Sequence, residues 1–217
     1  YVLVKDTLYS SLIEALKKHI QTFYGSDPLQ SRDYGKIINH RHFERLSSLL
    51  DEIPEKSVLH GGERRAEQCQ IAPTLISGSN DQRIMEEEIF GPILPVLKVS
   101  SLEEALNYVN ARPHPLALYL FSHDKDLQHR VLAETSSGGV CFNDTLLHLN
   151  AKELPFGGVG ESGQGHYHGF YSFEAFSNKK GVMRRYFKLD LEARYPPYTR
   201  KKVRLFRKLL KMKGIQL

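Results

Sequence analysis

Ile93-Leu94-Pro95-Val96-Leu97-Lys98-Val99, Leu116-Ala117-Leu118-Tyr119-Leu120-Phe121-Ser122 and Gly138-Gly139-Val140-Cys141-Phe142 are three apolar, β-rich runs at nearly equal spacing, and what separates them decides the fold. Between the first two, Ser101 with Glu104 three residues on forms a capping-box signature. Leu102, Ala105, Leu106 and Val109 then recur at helical spacing before Pro113 stops the pattern. Between the second and third, a helix starts near Asp124 and runs through Leu127, Val131 and Leu132 toward Gly138. Strand, helix, strand, helix, strand predicts parallel pairing and an α/β sheet with helices packed on it.

Working outward, Tyr1 to Val4 reads as a further strand. Asp6 or Thr7 is expected to cap a helix whose Leu8, Leu12, Leu16, Ile20 and Phe23 share a face and which Gly25 ends. A second helix is predicted from His40 to Leu50. Gly61-Gly62 marks a turn before a strand from Ile71 to Ile76, which Pro73 places at a sheet edge. The one compositional break is Tyr195-Pro196-Pro197-Tyr198, read as a linker.

Composition sets the class. The 217 residues are 41% hydrophobic and 25% charged, an ordinary globular balance. No run of about 18 apolar residues and no signal-peptide pattern is present. The net charge of +5 is unevenly distributed: 21 of the 30 bases and all 25 acids lie in residues 1 to 192, a net of −4, and nine bases with no acid follow Glu192. The high pI therefore belongs to the tail, and the folded part is not read as a nucleic-acid binder. Two cysteines form no disulfide framework and have no metal-ligand spacing, which fits a reducing, cytoplasmic compartment. Cys141 lies in an apolar run without an adjacent base and reads as structural. Cys69 reads as a solvent-edge residue. His166 and His168 lack a third ligand, so no metal site is expected. Gly158, Gly160 and Gly163 spell G-x-G-x-x-G, yet Pro155 disfavours the strand that a dinucleotide fingerprint needs before it.

Two segments carry the chemistry. Glu86-Glu87-Glu88-Ile89-Phe90-Gly91-Pro92 presents acids and then an aromatic immediately before the first strand run. Leu154-Pro155-Phe156-Gly157-Gly158-Val159-Gly160-Glu161-Ser162-Gly163-Gln164-Gly165 is a glycine-rich loop. Taken for themselves, they could be a solvated acidic turn beside a core phenylalanine and a glycine turn with a packed aromatic. Together they resemble two motifs of the aldehyde dehydrogenase superfamily. Thr135-Ser136-Ser137-Gly138-Gly139-Val140, Tyr167-His168-Gly169 and Ser172-Phe173 narrow the resemblance to its class 3 group, which includes the fatty aldehyde dehydrogenases. The similarity runs from Tyr1 to about Pro197.

The resemblance implies the C-terminal portion of the aldehyde dehydrogenase fold, a parallel sheet with flanking helices plus an oligomerisation strand segment. Residues 1–168 would belong to the catalytic domain, 169–193 to an oligomerisation segment and 194–217 to a basic amphipathic tail. It implies oxidation of medium- or long-chain aliphatic aldehydes to carboxylic acids with NAD, NADP being an alternative. Glu88 would hold the nicotinamide ribose, Phe90 would lie against the nicotinamide ring, and Phe156 would line the aldehyde tunnel, where each buried methylene is worth about 0.8 kcal/mol. The nucleophilic cysteine and the general-base glutamate are expected upstream of Tyr1, so this chain is expected to be an inactive fragment. Asn143 and Asp144 border the active site in the family, with no role assigned. Strand-like residues from Glu174 to Arg185 would pair with a second subunit in a homodimer. A reading from another class, a non-catalytic dimerisation or membrane-tethered module on the same fold, stays open.

In the tail, Arg200 to Lys213 carries eight bases, with Val203, Phe206 and Leu210 at helical spacing and Leu205, Leu209 and Met212 likewise. Such a segment is either a binder of anionic membrane surfaces or a solvated tail. It matches neither a hydrophobic anchor nor a prenylation signal, the two devices of the family.

Overall fold

The structure, a computed structural model, describes residues 1–78, 83–188, 190 and 192–212. They form two compact units, Tyr1–Ala175 and Phe176–Leu217. In the first, β1 (Val2–Lys5) leads into α1 (Asp6–Tyr24) and α2 (His40–Asp51). Then come β2 (Val58–His60), β3 (Arg64–Arg65), β4 (Gln70–Ile71), β5 (Thr74–Ser77) and β6 (Ile93–Val99). The remainder is α3 (Leu102–Asn110), β7 (Ala117–Leu120), α4 (Lys125–Glu134), β8 (Gly139–Phe142) and α5 (Gly169–Ala175).

The main sheet has the order β1-β6-β5-β2. β6 is parallel to both neighbours, pairing Val2 with Val96 on one side and Thr74 with Ile93 on the other. β2 closes the far edge antiparallel to β5. The mixed α/β class expected from the sequence is present, but the three runs do not share one sheet. Both edges of β6 are occupied by β1 and β5, so β7 has no strand face left there and pairs in parallel with β8 in a separate two-stranded sheet. The edge placement of Ile71 to Ile76 is also overturned. Pro73 interrupts the run instead: Gln70–Ile71 turn away to pair with β3, while Thr74–Ser77 lie inside the main sheet. With the proline just ahead of β5, no ladder N–H is missing from that strand.

Pro95, in the middle of β6, is tolerated by the same accounting. Thr74 N–H donates to the Pro92 carbonyl at 2.7 Å and Gly78 N–H to that of Val96 at 3.0 Å, so the even-numbered residues of β6 face β5. Pro95 therefore turns its ring nitrogen to the β1 side, where the ladder begins one residue later at Val96.

The sheet is covered on both faces. α2 supplies Phe43, Leu46, Leu49 and Leu50 to a core with Ile71, Ile76, Ile84 and Ile93. α1 covers the opposite face, with Ile13 against Val4 and Val96 and with Tyr9 and Leu12 beside them. A strand covered on both sides reads as the continuous apolar run seen in β6. Lys98 is its exposed member and lies over the Tyr9 ring at 4.6 Å.

The face of α1 is centred on Ile13, with Tyr9, Leu12, Leu16, Ile20 and Tyr24 beside it. Leu8 and Phe23, expected on that face, are exposed, because they fall at its margins. The cap also differs. Asp6 is already helical and Lys5 precedes it without a side-chain bond, while Gly25, at φ +78°, ends the helix as expected. In α3, Ser101 Oγ accepts from Glu104 N–H at 3.2 Å, but the Glu104 carboxylate turns back to Ser100 N–H and Oγ at 2.7 and 2.6 Å rather than to the cap residue itself.

In the second unit, α6 (Arg200–Met212) is helical as expected, with Thr199 Oγ1 accepting from Lys202 N–H at 3.4 Å. Its bases Arg200, Lys201, Arg204, Arg207 and Lys208 are exposed, and Val203 and Leu205 are partly so. Lys213 and the side chains of Leu209, Leu210, Lys211 and Met212 lie outside the described residues. The strand expected from Glu174 to Arg185 is not formed within the chain: Glu174 and Ala175 complete α5, and from Ser177 to Tyr186 no ladder partner occurs among the described residues. Arg185 and Asp190 form an ion pair that the Tyr195 hydroxyl joins at 2.9 Å. No described helix is long and apolar enough to cross a membrane.

Candidate active site

The loop before β6 alternates buried and exposed positions. Its 3-10 turn, Arg83–Met85, plants Ile84 in the α2 core at 2% exposure. Arg83 fixes the turn from outside through Ser48 Oγ at 3.2 Å and Glu52 at 3.0 Å. Glu86, Glu87 and Glu88 are exposed, Ile89 packs back against the core, and Phe90 emerges again at 74% exposure. Arg45, on α2, donates to the Ile89 carbonyl at 2.5 Å, pinning the peptide between the two outward side chains. Phe90 has φ +47°, a left-handed conformation uncommon for an aromatic residue. At Gly91 a Cβ would stand 2.5 Å from Leu46 Cδ1, so only glycine lets the loop lie this close to α2.

Phe90 borders a cleft of about 410 Å³ lined also by Tyr34, Lys36, Ile37, His42 and Ile71. The Tyr34 hydroxyl donates to the Ile71 carbonyl at 2.6 Å. Burial and then the neighbouring Tyr24 push its pKa well above the ordinary value, which keeps it a neutral donor. The Glu88 carboxylate has no hydrogen bond or ion pair among the described residues and is free to accept from a ligand hydroxyl. An outward acceptor beside an outward flat ring fits the ribose and ring of a nicotinamide dinucleotide. Lys36, His42 and Arg45 were not singled out from sequence. Helix α2 was legible there, but the loop its first turns would face was not.

The glycine-rich loop, expected on the aldehyde side, is built differently. Phe156 and Tyr167 exchange two backbone hydrogen bonds of 2.9 Å, an antiparallel bridge that closes residues 157–166 into a loop. Its legs touch backbone to backbone: a Cβ on Gly157 would be 2.1 Å from the Gly165 carbonyl oxygen, and one on Gly158 would be 2.2 Å from that of Ser162. Ser162 Oγ accepts from Val159 N–H at 2.9 Å. Gly160–Ser162 form a 3-10 turn and not the opening of a helix, so G-x-G-x-x-G here shapes a turn. The Phe156 ring is half-buried against Tyr167 edge-on at 5.5 Å and His168 stacked at 5.6 Å. Phe156 does not line the Phe90 cleft.

Asn143 acquires a role. At φ +59° it ends β8 and clasps Ser122, accepting from its N–H at 2.8 Å and donating to its carbonyl at 3.1 Å, so it ties β8 to the end of β7. Cys141 sits half-buried in β8 opposite Tyr119. Cys69 is not a solvent-edge residue; it packs against the α2 core. No group of three metal-ligating side chains occurs among the described residues.

Comparison with known proteins gives the family. The aldehyde dehydrogenase family model matches residues 1–182, and the chain belongs to that family. It is 48% identical over 213 residues to aldehyde dehydrogenase family 3 member H1 of Arabidopsis thaliana, covering 97% of this chain and 44% of that one. To the dimeric NADP-preferring aldehyde dehydrogenase of Rattus norvegicus it is 46% identical over 201 residues, 91% of this chain and 44% of the other. The substrate-bound Staphylococcus aureus AldH structure superposes with a TM-score of 0.85 at 44% identity, over 97% of this chain and 46% of that one. The class 3 resemblance thus holds, and the chain spans less than half the length of these relatives.

Proposed function

We propose that this chain supplies the cofactor clamp and the aldehyde wall of an NAD(P)-dependent aldehyde dehydrogenase of about the relatives' length, acting on medium- or long-chain aliphatic aldehydes. The observation that carries the reading is the pattern at residues 84 to 90, where buried Ile84 and partly buried Ile89 leave Glu88 and Phe90 outward, Phe90 bordering the cleft. The chemistry supplied by NAD or NADP, when bound, is hydride acceptance from the aldehyde-derived carbon. Glu88 accepts from ribose hydroxyls, Phe90 presses one face of the nicotinamide, and Arg45 keeps the peptide joining them in place, so orientation is fixed before reaction. Phe156 offers one ring face to the aliphatic chain. The nucleophile and the general base come from residues preceding Tyr1.

The second half of the chain supports the longer polypeptide. A parallel sheet is ordinarily covered on both faces, yet no residue of β7 or β8 is fully buried, and Leu116, Phe121, Leu132, Leu146 and Leu147 are exposed around them. Covering that surface is the work of the remaining polypeptide.

In the complete enzyme Glu88→Gln is expected to weaken cofactor binding and hydride transfer together by about tenfold to a hundredfold, since a charge-assisted hydrogen bond is worth roughly 1.5–3 kcal/mol. Unchanged cofactor affinity and rate would remove Glu88 from the site. Activity with Glu88 and Phe90 both replaced would instead favour the non-catalytic module for this chain.

The second unit carries two further readings. Phe176, Val182, Met183, Tyr186 and Phe187 are each at least 74% exposed along a segment with no ladder partner among the described residues, a surface that pairing with a second subunit would cover. α6, basic and amphipathic, suits an anionic membrane face from the cytoplasmic side. Two truncations separate these. Ending the protein after Thr199 should abolish binding to phosphatidylserine vesicles at low salt while leaving a dimer in sedimentation; ending it after Ala175 should give monomers. Vesicle binding that survives the first, or a dimer that survives the second, would overturn the corresponding reading.

A further inference from the structure

Behind Phe156 stands a residue with an unusual combination of features. His168 has φ +88°, a conformation that a non-glycine residue keeps only where its surroundings over-determine it. Its surroundings do so from three sides. His168 N–H donates to Ser172 Oγ at 2.9 Å, and its carbonyl accepts from the N–H groups of Tyr171 and Ser172 at 3.0 and 3.4 Å, so it is locked onto the start of α5. Next to it, Gly169, at φ +48°, passes so close to the Lys152 carbonyl that a Cβ would stand 2.5 Å from that oxygen. The imidazole lies stacked on the Phe156 ring, 5.6 Å between centroids at an interplanar angle of 23°, with Tyr167 edge-on at 4.6 Å.

Nδ1 of the same ring is buried and has no hydrogen-bond partner among the described residues. His168 keeps a backbone conformation that it does not favour, and there it gains ring contact with Phe156 and Tyr167. The backbone of Phe156 is itself held by the two-bond bridge to Tyr167, in a loop whose legs meet at glycine contacts.

We infer that His168 is a positioning residue for Phe156: it backs one face of that ring, leaves the other to the aldehyde, and thereby sets selectivity for long over short aliphatic chains. The inference rests on the reading of Phe156 as the aldehyde wall. The contact acts through shape.

The test is a double-mutant cycle in the complete enzyme with acetaldehyde and decanal as probes. His168→Asn is the informative variant, because asparagine tolerates positive φ and removes the ring. His168→Asn should raise KM for decanal about three- to tenfold, the value of one aromatic contact, with kcat and the acetaldehyde constants little changed and the thermal midpoint kept within a few degrees. Combined with Phe156→Ala it should add nothing further to the loss for decanal. His168→Phe, which keeps a stacking ring, should recover most of the chain-length preference. If Phe156→Ala alone affects both aldehydes equally, the wall reading fails. If Phe156→Ala is chain-length selective but His168→Asn is not, or if the two losses multiply in the double variant, that reading stands and the positioning role of His168 is overturned.

Discussion

The two halves of the first unit are held together by different means. Before Ser100, two helices and a four-stranded sheet bury apolar side chains on both faces. After it, Leu106 and Val131 are the only fully buried hydrophobic residues among those described. The second half relies on polar clasps, such as Asn143 on Ser122 and Gln128 Nε2 on the Ser122 carbonyl at 2.7 Å, and on backbone contacts between glycines. One of the two motif loops comes from each half. The loop carrying Glu88 and Phe90 takes its geometry from a core, so its exposed residues are oriented by buried ones. The loop carrying Phe156 takes its geometry from main chain and ring stacking.

The largest effect should come from the core. Ile84→Ala removes a side chain that is 2% exposed and packed with Phe43, Leu46 and Ile93, and is expected to cost about 2–5 kcal/mol. At this size that lowers the melting midpoint by roughly 5–15 °C. Glu88 and Phe90 should lose cofactor affinity in parallel although neither is changed. A normal midpoint with poor affinity would show that the loop is not organised by its core anchor.

An intermediate effect should come from the glycine loop. Gly157→Ala sets a Cβ 2.1 Å from the Gly165 carbonyl oxygen and must part the legs of the loop, breaking the Phe156–Tyr167 bridge. Two net hydrogen bonds amount to about 1–3 kcal/mol, so amide exchange at Phe156 and Tyr167 should accelerate about tenfold to a hundredfold. The midpoint set by the first half should move far less than in Ile84→Ala. A collapse of the whole unit in Gly157→Ala would erase the distinction between the halves.

The same distinction explains what could be read from the sequence. Helices α1 to α4 were legible because amphipathic spacing and end signals such as Gly25 and Ser101 act locally. The pairing of β6 was not, since its partner on one side lies 94 positions earlier in the chain, Val2 opposite Val96 and Leu3 opposite Leu97, and nothing local records such an offset. Pro73 misled for a related reason: a proline inside an apolar run signals an edge only if the run is one strand, and here it divides two. Glu88, Phe90 and Phe156 were proposed through a motif resemblance, whereas Arg45 meets the Ile89 carbonyl, 44 positions along the chain, and His42 meets the Phe90 cleft only through the fold. Residues of that kind have no spacing to betray them.

The smallest effect separates the second half's surface from its clasps. Arg130, on α4, bonds Glu103 of α3 at 2.9 Å and Glu134 of its own helix at 2.8 Å, all three in solvent. The guanidinium lowers both carboxyl pKa values from the ordinary 4.5, chiefly by hydrogen bonding to them. A carboxyl group whose pKa is lower in the folded protein than in the unfolded chain stabilises the fold fully above the unfolded value, and that contribution disappears as pH falls through the folded value. Arg130→Met should therefore lower the midpoint slightly near neutral pH, by less the higher the salt, because exposed pairs are weak and screened. The difference from wild type should begin to shrink below about pH 4.5 and vanish once both carboxyls are protonated. A difference that persists unchanged at pH 2 would mean that Arg130 joins α3 to α4 by packing of its alkyl stem, and that its ion pairs with Glu103 and Glu134 contribute nothing to the join.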